Sequence, residues 1–168
     1  SRLNSLIREV DGNLNEYKIF EASRAMTDFV DDLSNWYVRR SRERFWGKGM
    51  AGDKEAAFAT LYHILETMSR LTAPFTPFMA ENMYRNLVCS VDKDAPISVH
   101  MTDFPVCDEK YINTELEQHM RDLLEVVVLG RSCRNESGLK VRQPLSRMIV
   151  SGATLPQDLC ALAEDELN

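Results

Sequence analysis

Leu3, Leu6, Ile7 and Val10 recur at steps of three and four, which lines them along one face of a helix with about 3.6 residues per turn. No capping residue precedes them, so this helix reads as one entered partway, and Asp11-Gly12-Asn13 is expected to turn the chain after it. A longer helix is predicted from about Glu16 or Tyr17 to Trp46, unbroken. Ile19, Ala22, Met26, Phe29, Val30, Leu33 and Tyr37 give it one buried face. After the glycine-bearing loop Gly47 to Gly52, Asp53 is placed to cap a third helix carrying Ala57, Leu61, Ile64, Leu65, Met68 and Leu71.

Pro74 and Pro77 break that ladder, since each lacks an N–H and crowds the preceding turn; Pro77 fits the first turn of the next helix, with Phe78, Met79, Met83 and Leu87 as its apolar residues. Residues 90–112 carry Pro96 and Pro105 and read as loop. Asn113 caps a further helix whose seam is Leu116, Met120, Leu123 and Val127, and Gly138 stops it. Leu145 to Val150, between Pro144 and Ser151-Gly152, reads as a short strand, and Pro156 to Leu167 as a last helix. The expected class is mainly α: a helix bundle over residues 1–143, then a small α/β C-terminal appendage begun at 144–168 and cut short.

Composition narrows the function classes. With 168 residues, 44% apolar and 27% charged, the chain is an ordinary globular one, long enough to bury a core. No apolar run approaches the roughly 20 residues of a membrane span, and no signal peptide opens the chain. The net charge of −6 argues against a protein that coats nucleic acid but leaves room for local basic docking surfaces. Cys89, Cys107, Cys133 and Cys160 form no CxxC pair, and His63, His100 and His119 lie at no metal-ligand spacing. Reduced thiols in the cytoplasm are the expectation, with no cofactor or metal held by this segment.

Gly47-Lys48-Gly49-Met50-Ala51-Gly52 matches the letters GxGxxG, but a dinucleotide site needs a strand before it and alternating β/α structure around it. A long helix precedes it here, so it reads as a helix-to-helix loop. No GxSxG elbow, P-loop or HExxH is present, and Asp31-Asp32 splay about 100° apart on a helix, which makes them a solvated face. This segment is not expected to be catalytic.

Asn35 to Trp46 is different. With Tyr37 at the centre of the buried face, steps of about 100° bring Asn35, Arg39, Arg42 and Trp46 within about 60° of one another, nearly opposite it. Arginine forks hold phosphate and stack on bases, and a tryptophan offers a π face to an unstacked base. The alternative is a solvated basic face with partners such as Arg39–Glu43, Trp46 packing on the glycine loop. Arg40 and Arg44 continue the apolar stripe, as Arg131 and Arg134 do later, either as snorkelling ends of the seams or as bundle ends that meet RNA.

Three stretches carry a resemblance. Asp28-Phe29-Val30-Asp31-Asp32-Leu33-Ser34-Asn35-Trp36-Tyr37-Val38-Arg39-Arg40-Ser41-Arg42-Glu43-Arg44-Phe45-Trp46 is the first. The second is Leu71-Thr72-Ala73-Pro74-Phe75-Thr76-Pro77-Phe78-Met79-Ala80-Glu81-Asn82-Met83-Tyr84. The third comprises Gly130-Arg131, Arg134-Asn135-Glu136 and Leu139-Lys140-Val141-Arg142-Gln143-Pro144-Leu145. In this order, over essentially the whole chain, they resemble the anticodon-binding domain of isoleucyl-type class I aminoacyl-tRNA synthetases; valyl enzymes share the APFTPF-like element.

The resemblance implies an anticodon-binding helix bundle that holds the isoleucine tRNA stem-loop, beside a Rossmann core elsewhere in the same polypeptide that uses ATP and Mg. It also implies a monomeric, cytoplasmic enzyme. Neither HIGH-like nor KMSKS-like signature occurs here. Related enzymes set an aromatic residue near the end of the equivalent helix against anticodon bases, a role that falls on Trp46. Asn35, Arg39, Arg40, Arg42 and Arg44 are the accompanying candidates, with Lys140 and Arg142 secondary ones for the acceptor side or the core. A valyl-type domain, or a helical protein-interaction scaffold binding an acidic partner, are the alternatives.

Overall fold

The computed structural model describes residues 1–49, 52–140, 143–152 and 155–167. Seven α-helices with short π and 3-10 segments make up its regular structure, and no strand forms among the described residues. The chain divides into two compact units, Arg2–Ile112 and Ser1 with Asn113–Asn168.

In the first unit, α1 (Arg2–Asn15) packs against α2 (Ile19–Asp32) across a short corner. Leu3, Leu6, Ile7 and Val10 of α1 meet Ala22, Ala25, Met26 and Phe29 of α2, with Met68 and Leu71 of α4 (Gly52–Thr72) closing the core. The turn expected at Asp11-Gly12-Asn13 lies instead at Glu16–Lys18. A helical glycine costs about 1 kcal/mol, and carrying α1 through it brings Leu14 onto the core. The corner closes by Lys18 N–H donating to the Asn13 carbonyl at 2.8 Å and Tyr17 N–H to Leu14 at 3.0 Å. This is a Schellman ending with Tyr17 at φ 58° in the position that usually takes glycine.

The helix predicted unbroken to Trp46 has three parts. After α2, Leu33–Val38 is π-helical, and Ser41 turns the chain into α3 (Arg42–Trp46). An i→i+5 segment takes up an extra residue, so it shifts the register that a steady 100° step assumes. Ile19 and Val30, expected in the core, are exposed because the buried stripe centres on Ala22, Ala25, Met26 and Phe29.

Asp53 sits inside the first turn of α4 rather than capping it. The helix ends at Thr72, before Pro74, and α5 (Pro77–Tyr84) opens on its proline and runs into a π-helical turn, Arg85–Cys89. Ala80, Tyr84 and Val88, at steps of four, pack with Ala73 and Val99 in a second core. Phe78, expected on that apolar side, is 91% exposed and Met79 is exposed too, both off the step-of-four line. The Glu81 carboxylate accepts from Ser98 Oγ at 2.8 Å and Val99 N–H at 3.0 Å, which ties the following loop back to α5.

In the second unit, Asn113 caps α6 (Thr114–Glu136), its Oδ1 accepting from Leu116 N–H at 3.0 Å. The buried positions are Leu123, Val126, Val127 and Arg134, while Leu116 is exposed. Gly138, at φ 67°, ends the helix in a second Schellman motif, Leu139 N–H donating to the Arg134 carbonyl at 2.9 Å. α7 (Gln157–Leu167) packs on α6. A Cβ at Gly130 would come within 2.7 Å of Leu167 Cδ1, so the glycine permits that approach, and Arg131 Nη2 pairs with Glu166 Oε2 at 2.7 Å beside it.

The short strand expected at Leu145 to Val150 does not form: these residues are exposed and irregular. A strand exists only by pairing, and no other strand lies among the described residues to complete its backbone hydrogen bonds. The fold is mainly α, and no β-structure appears among the described residues of the C-terminal segment.

Candidate nucleic-acid interface

The end of the α2–π–α3 run is built from the packing beneath it. Tyr37 donates from its hydroxyl to the Ala57 carbonyl at 3.1 Å. Its ring meets Phe45 edge-on at 6.3 Å, and Phe45 meets Phe58 at 5.1 Å, an aromatic stack that fastens α3 to α4. Two polar clamps lie beside it. Arg44 donates Nε and Nη2 to the two Asp53 carboxylate oxygens, each at 2.7 Å, and Lys54 Nζ donates to the Gly47 carbonyl at 2.7 Å. The Asp53 carboxyl is held below its ordinary range by the Arg44 hydrogen bonds first, and Arg44 is raised in turn by the same bonds.

With Tyr37 and Phe45 turned to α4, Asn35, Arg39, Arg42 and Trp46 are all exposed, Trp46 by 77%. They make two aromatic–guanidinium pairs. Arg42 lies 5.3 Å from the Trp46 ring centroid, and Arg39 lies 5.8 Å from that of Trp36, its Nε donating to the Asn35 carbonyl at 2.8 Å. A cation over an exposed ring such as that of Trp46 is worth about 0.5–1 kcal/mol, and over a half-buried ring such as that of Trp36 somewhat more. A base on the same face is worth about 1–3 kcal/mol, so a base competes well for it. Arg40 is half-exposed, and Arg44 is committed to Asp53. Trp36 was not singled out by the helical wheel, which sets it on the flank of the buried face.

The GxGxxG letters fall between helices, as expected: Gly47 follows α3, Gly49 takes φ 82° and Gly52 opens α4, with Met50 and Ala51 outside the described residues. In the second unit, Lys140 is exposed and Arg142 lies outside the described residues. Arg134 does not snorkel. It is 5% exposed, and Nη1 donates to the carbonyls of Lys140 at 3.2 Å and Gln143 at 2.8 Å, closing the turn that displays Lys140. The described residues hold no cluster of His, Cys, Asp or Glu able to bind a metal, and no described helix is long and apolar enough to cross a membrane.

The family described as the anticodon-binding domain of tRNA ligase matches residues 1–149. The chain belongs to this family. It is 49% identical over its whole length to an isoleucine–tRNA ligase of Clostridium tetani, and 49% identical, again over the whole chain, to one of Dehalococcoides mccartyi. An isoleucine–tRNA ligase 2 of Bacillus cereus is 47% identical over 89% of the chain. The chain spans 16%, 17% and 14% of those relatives' lengths, respectively.

The family match runs from α1 through the turn closed by Arg134, so both units contribute to it.

Proposed function

We propose that the chain grips the anticodon stem-loop of isoleucine tRNA within a larger class I ligase. Other segments of that polypeptide would bind ATP and Mg and join isoleucine to the tRNA. The observation that carries this reading is the exposed end of α2 and α3, where Arg39 and Arg42 each lie over a tryptophan. Unpaired loop bases stack on aromatic faces, and guanidinium forks hold the phosphates between them. Arg39 and Arg42 then position the strand, which gives affinity without choosing sequence, Trp46 stacks a base and Asn35 supplies an amide to a base edge or sugar.

Arg40 adds charge beside them. Arg44 acts through Asp53, holding α3 so that Trp46 faces outward. Lys140 and Arg142 are secondary basic contacts, for the acceptor side of the tRNA or for the catalytic core. The isoleucyl assignment, over the valyl one, is supported by relatives of that name at 46–49% identity across the chain. In this reading the enzyme works in the cytoplasm as a monomer, and its own catalytic core is the chain's second partner.

The test is binding of the chain to a hairpin carrying the isoleucine anticodon loop, against a scrambled hairpin and an acidic peptide. The native loop should bind best, W46A should weaken it about tenfold or more, and R42A should also reduce the salt dependence. Equal affinity for scrambled RNA, or a preference for the peptide, overturns the reading.

A further inference from the structure

Two features of the exposed helix end point past a single stacking residue. Trp36, half-buried where Trp46 is exposed, also has a guanidinium over its face, and it lies in the π-helical segment Leu33–Val38. Such insertions recur at functional sites because they turn side chains that a regular helix would hold elsewhere. Trp36 and Trp46 lie ten positions apart, in the π-helical segment and at the end of α3, with the turn at Ser41 between them. Two aromatic faces carried by different helical segments suit bases splayed out of a loop, each stacked on its own ring.

We infer that Trp36 is a second stacking platform for an unpaired nucleotide. Arg39 and Arg42 are its lid and that of Trp46, each moved off its ring by an arriving base. The comparison of contact strengths above favours exchange, because a base gains more on an aromatic face than a solvated guanidinium does. A displaced guanidinium stays tethered within reach of the phosphate that comes with the base. Free protein would thus keep both rings covered, and bound protein would use the same two arginines as phosphate forks. This rests on the proposed RNA-binding reading and adds to it the number of bases seated and the residue that seats the second.

Trp36 and Trp46 are the chain's two tryptophans, so each can be watched alone. The chain carrying W46F reports Trp36 and the chain carrying W36F reports Trp46, and phenylalanine keeps a stacking face at each replaced position. Titration with the isoleucine anticodon hairpin should quench both single-tryptophan proteins at the same midpoint. In the W46F background, R39K keeps the charge but lacks the planar fork. It should leave the quench in place, weaken binding about fivefold and keep the salt slope. W36L should cost about tenfold in affinity, with W36F restoring it.

Quenching of Trp46 without any change at Trp36, with W36L binding as W36F does, overturns the second platform and leaves the RNA-binding reading standing. No quench in either protein and no hairpin binding by the unsubstituted chain overturns both. Should W36L lose its helical circular dichroism, the W46F quench decides alone.

Discussion

Replacing Arg134 by methionine should unfasten the turn after α6. Its guanidinium is buried and donates to the Lys140 and Gln143 carbonyls at 3.2 and 2.8 Å. Hydrogen bonds from a charged group are worth about 1.5–3 kcal/mol each, so the pair sets a ceiling of about 3–6 kcal/mol. Two effects lower it. Lys140 and Gln143 are exposed, so water can take over their carbonyls, and methionine relieves the desolvation of a buried charge while filling much of its volume. About 2–3 kcal/mol remains. Urea denaturation of R134M against the unsubstituted chain measures it, and amide exchange at Gln143, whose N–H donates to the Lys140 carbonyl at 3.0 Å, shows where the loss falls. R134K, with a single ammonium in place of the fork, should fall between them. A loss under about 0.5 kcal/mol with Gln143 protection intact would refute the claim that this arginine closes the turn.

Other perturbations follow from the same contacts. Glu81 is held below the ordinary glutamate range, by Ser98 first and then by the Val99 amide. Its native pKa is depressed, so its contribution is complete above the unfolded value and fades as pH falls through the native one. Val99 amide protection should drop on acidification in that range, and E81Q should flatten the dependence; an unchanged profile in E81Q counts against it. Y17G should raise stability by about 0.5–1 kcal/mol in thermal melts, because Tyr17 holds φ 58° and its 89% exposed ring leaves little packing to lose. G130V should cost the second unit about 1–3 kcal/mol by pushing Leu167 aside, and L167A should recover part of it in a double-mutant cycle. Pyrophosphate exchange by the purified chain should stay at background, and isoleucine-dependent exchange above a contaminant control would return the chemistry to this segment.

Periodicity was legible where burial alone decides the element. The α1 face, the proline break before α5 and the Asn113 cap each rest on a local rule, and the structure has all three. Helix endings were legible when glycine marked them. Gly138 and Tyr17 occupy the same αL position of the same motif, but a tyrosine there gives no signal, so the first corner was placed several residues early. The π-helical insertion uses ordinary helical residue types and leaves no mark on the pattern. The Leu145–Val150 reading failed for another reason: apolar residues between breakers describe what a strand needs on its own chain, while a strand requires a partner that no local window contains.

At the helix end, exposure was legible and partnership was not. Steps of about 100° put Asn35, Arg39, Arg42 and Trp46 on the solvent side despite the insertion, since a face wide enough to hold four residues tolerates a small change of register. The same steps could not show that Arg44 spans the glycine loop to Asp53, or that Arg134 reaches two carbonyls beyond its helix. Those contacts join residues across turns, where periodicity ends. Much of what carries the family resemblance is frame. Pro77 opens a helix, Glu81 ties down a loop, Gly130 admits Leu167, Arg131 pairs with Glu166 and Arg134 closes a turn. A motif match that rests on such residues argues for the scaffold. The proposed nucleotide contacts have to be argued from side chains outside that frame, and there Trp36, half-buried under the Arg39 guanidinium, is the residue that periodicity did not single out.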